Sequence, residues 1–316
     1  LNMYKWGLDS SYGLTGMAEG EFAVQDLTWE IVNKMNLGVE LGFLNGMIDL
    51  QLDYFDERRK DIFMPRESVP MTAGFMKQPW KNFGKVTNQG VEVSLNVNKQ
   101  FGKDLFVSLM GTFTYAHNEI TEKDEPSAVV GTNRAETGHP VGQLTGYIAE
   151  GLFTEDDFED VSTGKLKEGI PTQSFVSKLR PGDIRYRDVN GDGKVDVFDK
   201  SPIGGTKDPE IVYGFGLNMK YKDLDFGALF QGIGRSWNIL GSSIIPGANR
   251  GVTGNMFTNA NDRWTVDNPS QNVFYPRLDD GINSNNNQPS TWWLRNMSFL
   301  RLKNIELGYS LPKNLW

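Results

Sequence analysis

The chain has 316 residues, no cysteine and a formal charge of -8, and it carries 35 Gly, 19 Phe, 10 Tyr and 8 Trp. A disulfide scaffold, a thiol nucleophile and a thiolate metal site are excluded, and the acidic balance argues against nucleic acid, whose phosphates need cations. Hydrophobic residues make up only 38%, against about 45–50% in an ordinary globular domain, and this aromatic-rich but thinly apolar mixture suits a β-barrel with a wet interior.

The elements that can be predicted are strands with period-two alternation. In chain order, Ile48, Leu50, Leu52 and Tyr54 oppose Asp49, Gln51 and Asp53. Val91, Val93, Leu95 and Val97 oppose Glu92, Ser94, Asn96 and Asn98. Leu105, Val107, Leu109, Phe113 and Tyr115 share a face, as do Tyr213, Phe215, Leu217, Met219 and Tyr221, and near the end Ile305, Leu307 and Tyr309 oppose Glu306, Gly308 and Ser310. A soluble β-sandwich alternates in the same way. Strand length separates the two: Leu105 to Ala116 and Val212 to Tyr221 exceed the usual five or six residues or so and match the ~9–11 that cross a membrane. The apolar faces are therefore expected to meet lipid and the polar faces the lumen.

Connections alternate as well. Tight turns fall at Asn45-Gly46, Gly102-Lys103 and Lys222-Asp223, and long polar segments run from Arg58 to Asn88, Glu119 to Gln143, Thr154 to Glu210 and Gly234 to Met297. Outer-membrane barrels pair short periplasmic turns with long extracellular loops, so the long segments are expected outside. Leu144 to Phe153 lies between two of them; a single spanning strand there would break the alternation of sides, so it is read as part of the extracellular extension. No run of about 18 apolar residues marks a transmembrane helix and no signal peptide opens the chain. Beginning at Leu1 in mid-pattern, it reads as a fragment, residues 1–316 of a barrel domain.

One motif stands out within the 154–210 excursion. Asp188-Val-Asn-Gly-Asp-Gly-Lys-Val-Asp-Val-Phe-Asp199 follows the offsets of an EF-hand calcium loop, with oxygen donors at positions one, three, five, nine and twelve and Gly at six. Asp188, Asn190, Asp192, Asp196 and Asp199, with the Lys194 carbonyl, are the expected ligands of a structural calcium ion; Asp199 stands where a bidentate Glu is usual. Catalytic constellations are absent from the pattern: His117 and His139 lack partners for a zinc site, and the acidic runs Glu155-Asp156-Asp157 and Asp279-Asp280 read as solvated loops rather than a glycosidase pair. Trp237, Trp264, Trp292 and Trp293 read, taken singly, as loop packing or an interfacial girdle, with stacking on sugar rings as the alternative that makes them candidate substrate-binding residues.

Four stretches carry a family likeness: Asn36 through Gly46 on to Asp53 through Asp61; Asn88-Gln-Gly-Val-Glu92; Pro181 through Gly193 with Asp199 and Ile203-Gly204; and Phe299 through Pro312. In order and spacing the chain resembles the later barrel half of the SusC/RagA family of TonB-dependent outer-membrane transporters. The resemblance implies a transmembrane antiparallel barrel of 22 strands filled by a plug, energy supplied through TonB, and a SusD-like lipoprotein lid that captures glycan or peptide. Neither the plug nor the TonB-contacting segment is found in this chain. The expectation is import of oligosaccharides, or peptides, across the outer membrane without bond cleavage; the competing expectation is a secreted, calcium-stabilised adhesion module.

Overall fold

A computed structural model describes residues 3–9, 14–21, 24–73, 75, 77–241, 244, 257–279, 281 and 283–311. A hairpin comes first, β1 (Met3–Asp9) with β2 (Leu14–Glu21). Four long strands follow: β3 (Ile31–Phe43), β4 (Ile48–Pro65), β5 (Trp80–Phe101) and β6 (Leu105–Glu122). Short strands then build one excursion: β7 (Gln143–Gly146), β8 (Ala149–Leu152), β9 (Phe158–Asp160), β10 (Lys165–Leu166), β11 (Thr172–Gln173), β12 (Ile184–Tyr186), β13 (Lys194–Val195) and β14 (Ser201–Thr206). The long strands β15 (Ile211–Tyr221) and β16 (Leu224–Gly234) return. A second excursion holds β17 (Trp237–Ile239) and β18 (Leu294–Asn296), and β19 (Phe299–Tyr309) ends the described chain.

The long strands form one seven-stranded antiparallel sheet in the order β19-β16-β15-β6-β5-β4-β3, a meander open at β3 and β19. Its register lines the predicted alternation up across the whole wall. One row reads Val39, Leu52, Val93, Phe113, Tyr213, and the next Leu41, Leu50, Leu95, Gly111, Phe215, Phe230, Leu302. The opposite face carries Glu40, Gln51, Ser94, Thr112, Gly214, Gln231 and Arg301 in a single row. On the apolar face Leu41, Leu95, Leu109, Phe215 and Leu302 are all exposed, so among the described residues no second sheet covers it, against the soluble-sandwich alternative.

The last strand shows how register rescues a broken pattern. Leu300 and Leu302 are even-numbered while Ile305, Leu307 and Tyr309 are odd. Leu302 stands opposite Phe230 and Asn304 opposite Leu229, which leaves Lys303 as an extra residue. That β-bulge shifts the side-chain parity by one and keeps both sets on the apolar face.

The apolar face runs from Leu105 to Tyr115 along β6. Ten residue steps are about 34 Å of strand, or ~25 Å at the usual barrel tilt, the height of a membrane band. The tight turns close its lower margin, with left-handed backbone at Leu44, Asn45 and Gly46 (φ 55, 57 and 79), at Gly102 (φ 61) and at Lys222 (φ 55). The long segments leave from the other margin, as the length asymmetry predicts.

Two boundaries differ from the expectation. Strand β4 continues to Pro65 and β5 starts at Trp80, so the loop expected from Arg58 to Asn88 shrinks to residues 66–79. Above the band the strands have solvent on both sides, and Arg58, Arg59, Lys60, Asp61, Lys81 and Lys85 erase the alternation while the ladder hydrogen bonds persist. Likewise β6 runs on to Glu122.

Candidate functional site

The long segments fold together into a cap. Leu144 to Phe153 supplies β7 and β8, both outside the wall: β7 pairs with β14 and β8 with β12. Tyr147, Leu152, Ile184, Tyr186 and Val195 from residues 143–206 pack with Trp264, Tyr275 and Trp293 from the later segment in one hydrophobic core. The excursion 154–210 thus shares its core with residues 257–296, and a smaller cluster of Phe153, Phe158 and Leu179 lies beside it.

The four tryptophans are packing residues of this cap. Trp293 is 1% exposed, donates Nε1 to the Asn286 carbonyl at 2.8 Å, and meets Phe274 and Tyr275 edge-on or tilted. Trp264 is buried over Gly182, whose φ of 85 and lack of a Cβ let the indole approach; a Cβ there would lie 2.3 Å from the ring. Trp292 is half-buried and donates to the Phe274 carbonyl at 3.1 Å, and Trp237 lies half-buried against Gly204 and Gly205. Trp264 and Trp293 fill the cap's core, while Trp237 and Trp292 keep part of their surface exposed.

A buried polar network stitches the two segments. The carboxylate of Asp183, fully buried, accepts from Arg277 Nη2 at 3.0 Å, Asn283 Nδ2 at 2.9 Å, Asn286 Nδ2 at 3.0 Å and the Arg180 backbone at 2.9 Å. Burial pushes this carboxyl above the usual aspartate range against the pull of Arg277 and these hydrogen bonds. Asn285, also fully buried, donates to the Ile184 carbonyl and accepts from Gln173 Nε2 at 2.7 Å. Burial raises the phenol of Tyr147 to about 12, helped by Asp199 and Asp196, and keeps it a neutral group of the core. The amides of Asn283, Asn285 and Asn286 are the connecting pieces of this network.

The Asp188–Asp199 loop lies on the cap with Gly191 and Gly193 in left-handed backbone (φ 75 and 84), the latter where the sharp turn was expected. Its side chains close the loop on itself. Asp188 accepts from the Gly191 and Gly193 backbones at 2.7 Å each, Asn190 from Asp192 at 2.9 Å, Asp192 from Lys194 at 2.9 Å, and Asp196 from Phe198 at 2.9 Å. Asp199 is buried and accepts from Val189 and Asp196 at 2.8 Å each, tying the two ends. Lys194 Nζ pairs with Asp196 at 3.1 Å, and the Phe198 hydrogen bond and Lys194 hold the Asp196 carboxyl below its ordinary value. The five donors stand at calcium-loop offsets, but among the described residues no group of three or more Asp, Glu or His side chains is gathered as a metal shell.

His117 Nδ1 lies 2.6 Å from Glu210 Oε1, whose other oxygen meets Arg235 at 3.0 Å. The group sits on the outer face above the band and ties β6 to the start of β15.

An amphipathic antiparallel wall with its apolar face bare, tight turns below and a folded cap above, is a segment of an outer-membrane β-barrel. The chain belongs to the TonB-dependent receptor family: the family model for the TonB dependent receptor-like β-barrel matches residues 4–315. Similar curated proteins include TonB-dependent receptor P26 of Formosa agariphila, 27% identical over 94% of this chain and 29% of that protein. TonB-dependent receptor SusC of Bacteroides thetaiotaomicron is 28% identical over 92% of this chain and 27% of its own length. The chain therefore spans less than a third of these relatives. Among solved structures, that of the RagAB peptide transporter superposes with a TM-score of 0.68 at 24% identity, covering 100% of this chain and 32% of that one, a likeness of fold.

Proposed function

We propose that this chain is wall and extracellular cap of a transporter that imports oligosaccharides or peptides through the outer membrane, energised through TonB and served by a SusD-like surface lipoprotein. The observation that carries the reading is the continuous apolar face of seven paired strands joined to a packed cap. A lipid-facing wall needs every backbone group paired within it, and a folded cap above the wall gives substrate and lid a preformed surface. The transport step breaks no bond in this reading. The test is deletion of the gene for the full-length protein: growth on the cognate glycan or peptide mixture should fail and be restored by the gene but not by one lacking residues 143–206. Growth unaffected on every nutrient tried would contradict it. Affinity purification of the full-length protein should bring down a lipoprotein, and its absence would remove the lid from the reading.

A structural calcium ion in the Asp188–Asp199 loop belongs to the same proposal. The loop offsets and the Gly193 turn support it, and extracellular calcium fills even sites of about millimolar affinity. Asp188, Asn190 and Asp192 each accept backbone N–H groups and keep further oxygen lone pairs that can ligate the ion. Calcium should protect the cap from protease, with Asp192→Ala removing the protection; equal cleavage with calcium and with chelator would leave the loop a self-closed turn.

A further inference from the structure

The outer face of the wall changes character just above the apolar band. The top row of that band reads Tyr54, Val91, Tyr115 and Ile211 across four strands. One row higher, about 7 Å along the strands, stand Asp56, Gln89 and His117, and the next row holds Arg58, Thr87 and Glu119. No register irregularity falls between these rows, so the charged residues continue the lipid side of the sheet. Strands β4, β5, β6, β15 and β16 are paired along both edges. A barrel closes through the free edges at β3 and β19, so the rest of its wall does not lie over this face.

Two ion-pair groups here are built with the carboxylate behind and the guanidinium in front. Asp56 accepts from Arg58 Nε at 3.0 Å and Nη2 at 3.3 Å and from Gln89 Nε2 at 2.8 Å. Its side chain is 10% exposed and that of Arg58 69%. Glu210 holds His117 Nδ1 at 2.6 Å with one oxygen and Arg235 Nη1 at 3.0 Å with the other, and it is 17% exposed against 59% for Arg235. Arg235 follows β16 in left-handed backbone (φ 51), its guanidinium 5.4 Å from the centre of the Tyr115 ring and donating to that hydroxyl at 3.2 Å. Among the described residues, Nη1 of Arg58 and Nε and Nη2 of Arg235 have no partner. The shielded carboxylates fix each planar fork and leave its free N–H groups facing outward. Glu119, the exposed carboxylate of the Arg58 row, stands two strand spacings from Arg58, about 10 Å. Free donors in a fixed fork match the oxygens of a phosphate, and basic residues at a membrane margin take anionic headgroups. The height of these forks, directly above the last apolar row, is where hydrocarbon gives way to the wet headgroup layer.

We propose that Arg58 and Arg235 are binding points for the phosphate groups of an outer-leaflet glycolipid whose acyl chains lie on the apolar rows below. Four strand spacings separate β4 from β16, about 19 Å, so each guanidinium takes its own phosphate. The inference rests on the wall's place in the outer membrane and not on the cargo. In the test, purified full-length protein in neutral detergent is titrated with labelled lipid A carrying two phosphates and with the same lipid dephosphorylated. The phosphorylated lipid should bind about tenfold more tightly. The double variant Arg58→Gln, Arg235→Gln should weaken it about tenfold, leave the dephosphorylated lipid unchanged and keep the heat-modifiable mobility of a folded barrel. If that mobility is lost, the single variants Arg58→Gln and Arg235→Gln carry the test, each expected to bind the phosphorylated lipid severalfold more weakly. Arg301→Gln, which removes the same charge from the lumen face, should bind like the wild type. Inorganic phosphate at the concentration of the lipid should displace none of it, which separates a headgroup site from one for free phosphate. Wild-type affinity in the folded arginine variants, equal binding of the two lipids, an equal loss in Arg301→Gln, or displacement by inorganic phosphate would each overturn the assignment.

Discussion

The wall and the cap are built from the same chain by opposite rules. In the wall, Leu95, Leu109, Phe215, Leu302 and Leu307 point away from the protein and stay exposed, Leu307 by 79%. In the cap, Tyr186, Trp293 and Ile184 are 2% exposed or less and pack on one another. The wall is ordered by strand pairing and by a solvent that is itself apolar; the cap is ordered by burial from water. A hydrophobic residue thus means outside in one region and inside in the other, and a substitution should act differently in each.

The largest effect is expected where the cap's core is densest. Trp293→Ala removes the indole and its hydrogen bond to Asn286, and should destabilise the cap by about 3–5 kcal/mol. Limited proteolysis should cut within residues 155–170 while the barrel keeps its heat-modifiable mobility. If wall and cap melted together, their separation would be lost. Next, Leu95→Arg puts a charge near the middle of the lipid face and should cost about 2–4 kcal/mol, whereas Ser94→Arg on the lumen face should cost close to nothing. Equilibrium folding into lipid vesicles measures both, and equal costs would break the comparison. A smaller loss, ~1–3 kcal/mol, is expected for Gly182→Ala, which demands left-handed backbone from an L side chain and crowds Trp264. Thermal unfolding of the cap followed by tryptophan fluorescence would register it, and an unchanged transition would show that Trp264 yields freely.

The two regions were also unequally legible. Strand β5 could be read within the band because lipid on one side and water on the other force alternation, and Val91 to Asn98 obeys it. The upper parts of β4 and β5, around Arg59 and Lys85, have water on both sides, so nothing in the side chains reports the strand. The parity change across β19 hid a bulge at Lys303 that only the register reveals. In the cap, Leu144 to Phe153 could be assigned outside from topology alone. Loop packing was one reading of the tryptophans, but the full burial of Trp264 and Trp293 could not be told from the half-burial of Trp237 and Trp292, because short strands joined by irregular loops carry no periodicity to say which face is inward. The offsets from Asp188 to Asp199 were legible, and so was the turn at Gly193. The engagement of each carboxylate by backbone N–H groups was not, since it depends on local dihedral angles.

The most direct test of the two-solvent account uses site-directed spin labels, with any cysteine outside these 316 residues, which contain none, first replaced by serine. Single cysteines placed in turn at positions 91 to 98 of the full-length protein, spin-labelled and reconstituted in vesicles, can be probed with oxygen, which concentrates in lipid, and with a polar nickel chelate, which stays in water. Labels at Val91, Val93, Leu95 and Val97 should favour oxygen and those at Glu92, Ser94, Asn96 and Asn98 the chelate, alternating at every residue. Equal accessibility to both reagents along the eight positions, or oxygen access confined to the polar set, would contradict the assignment of this wall to the membrane.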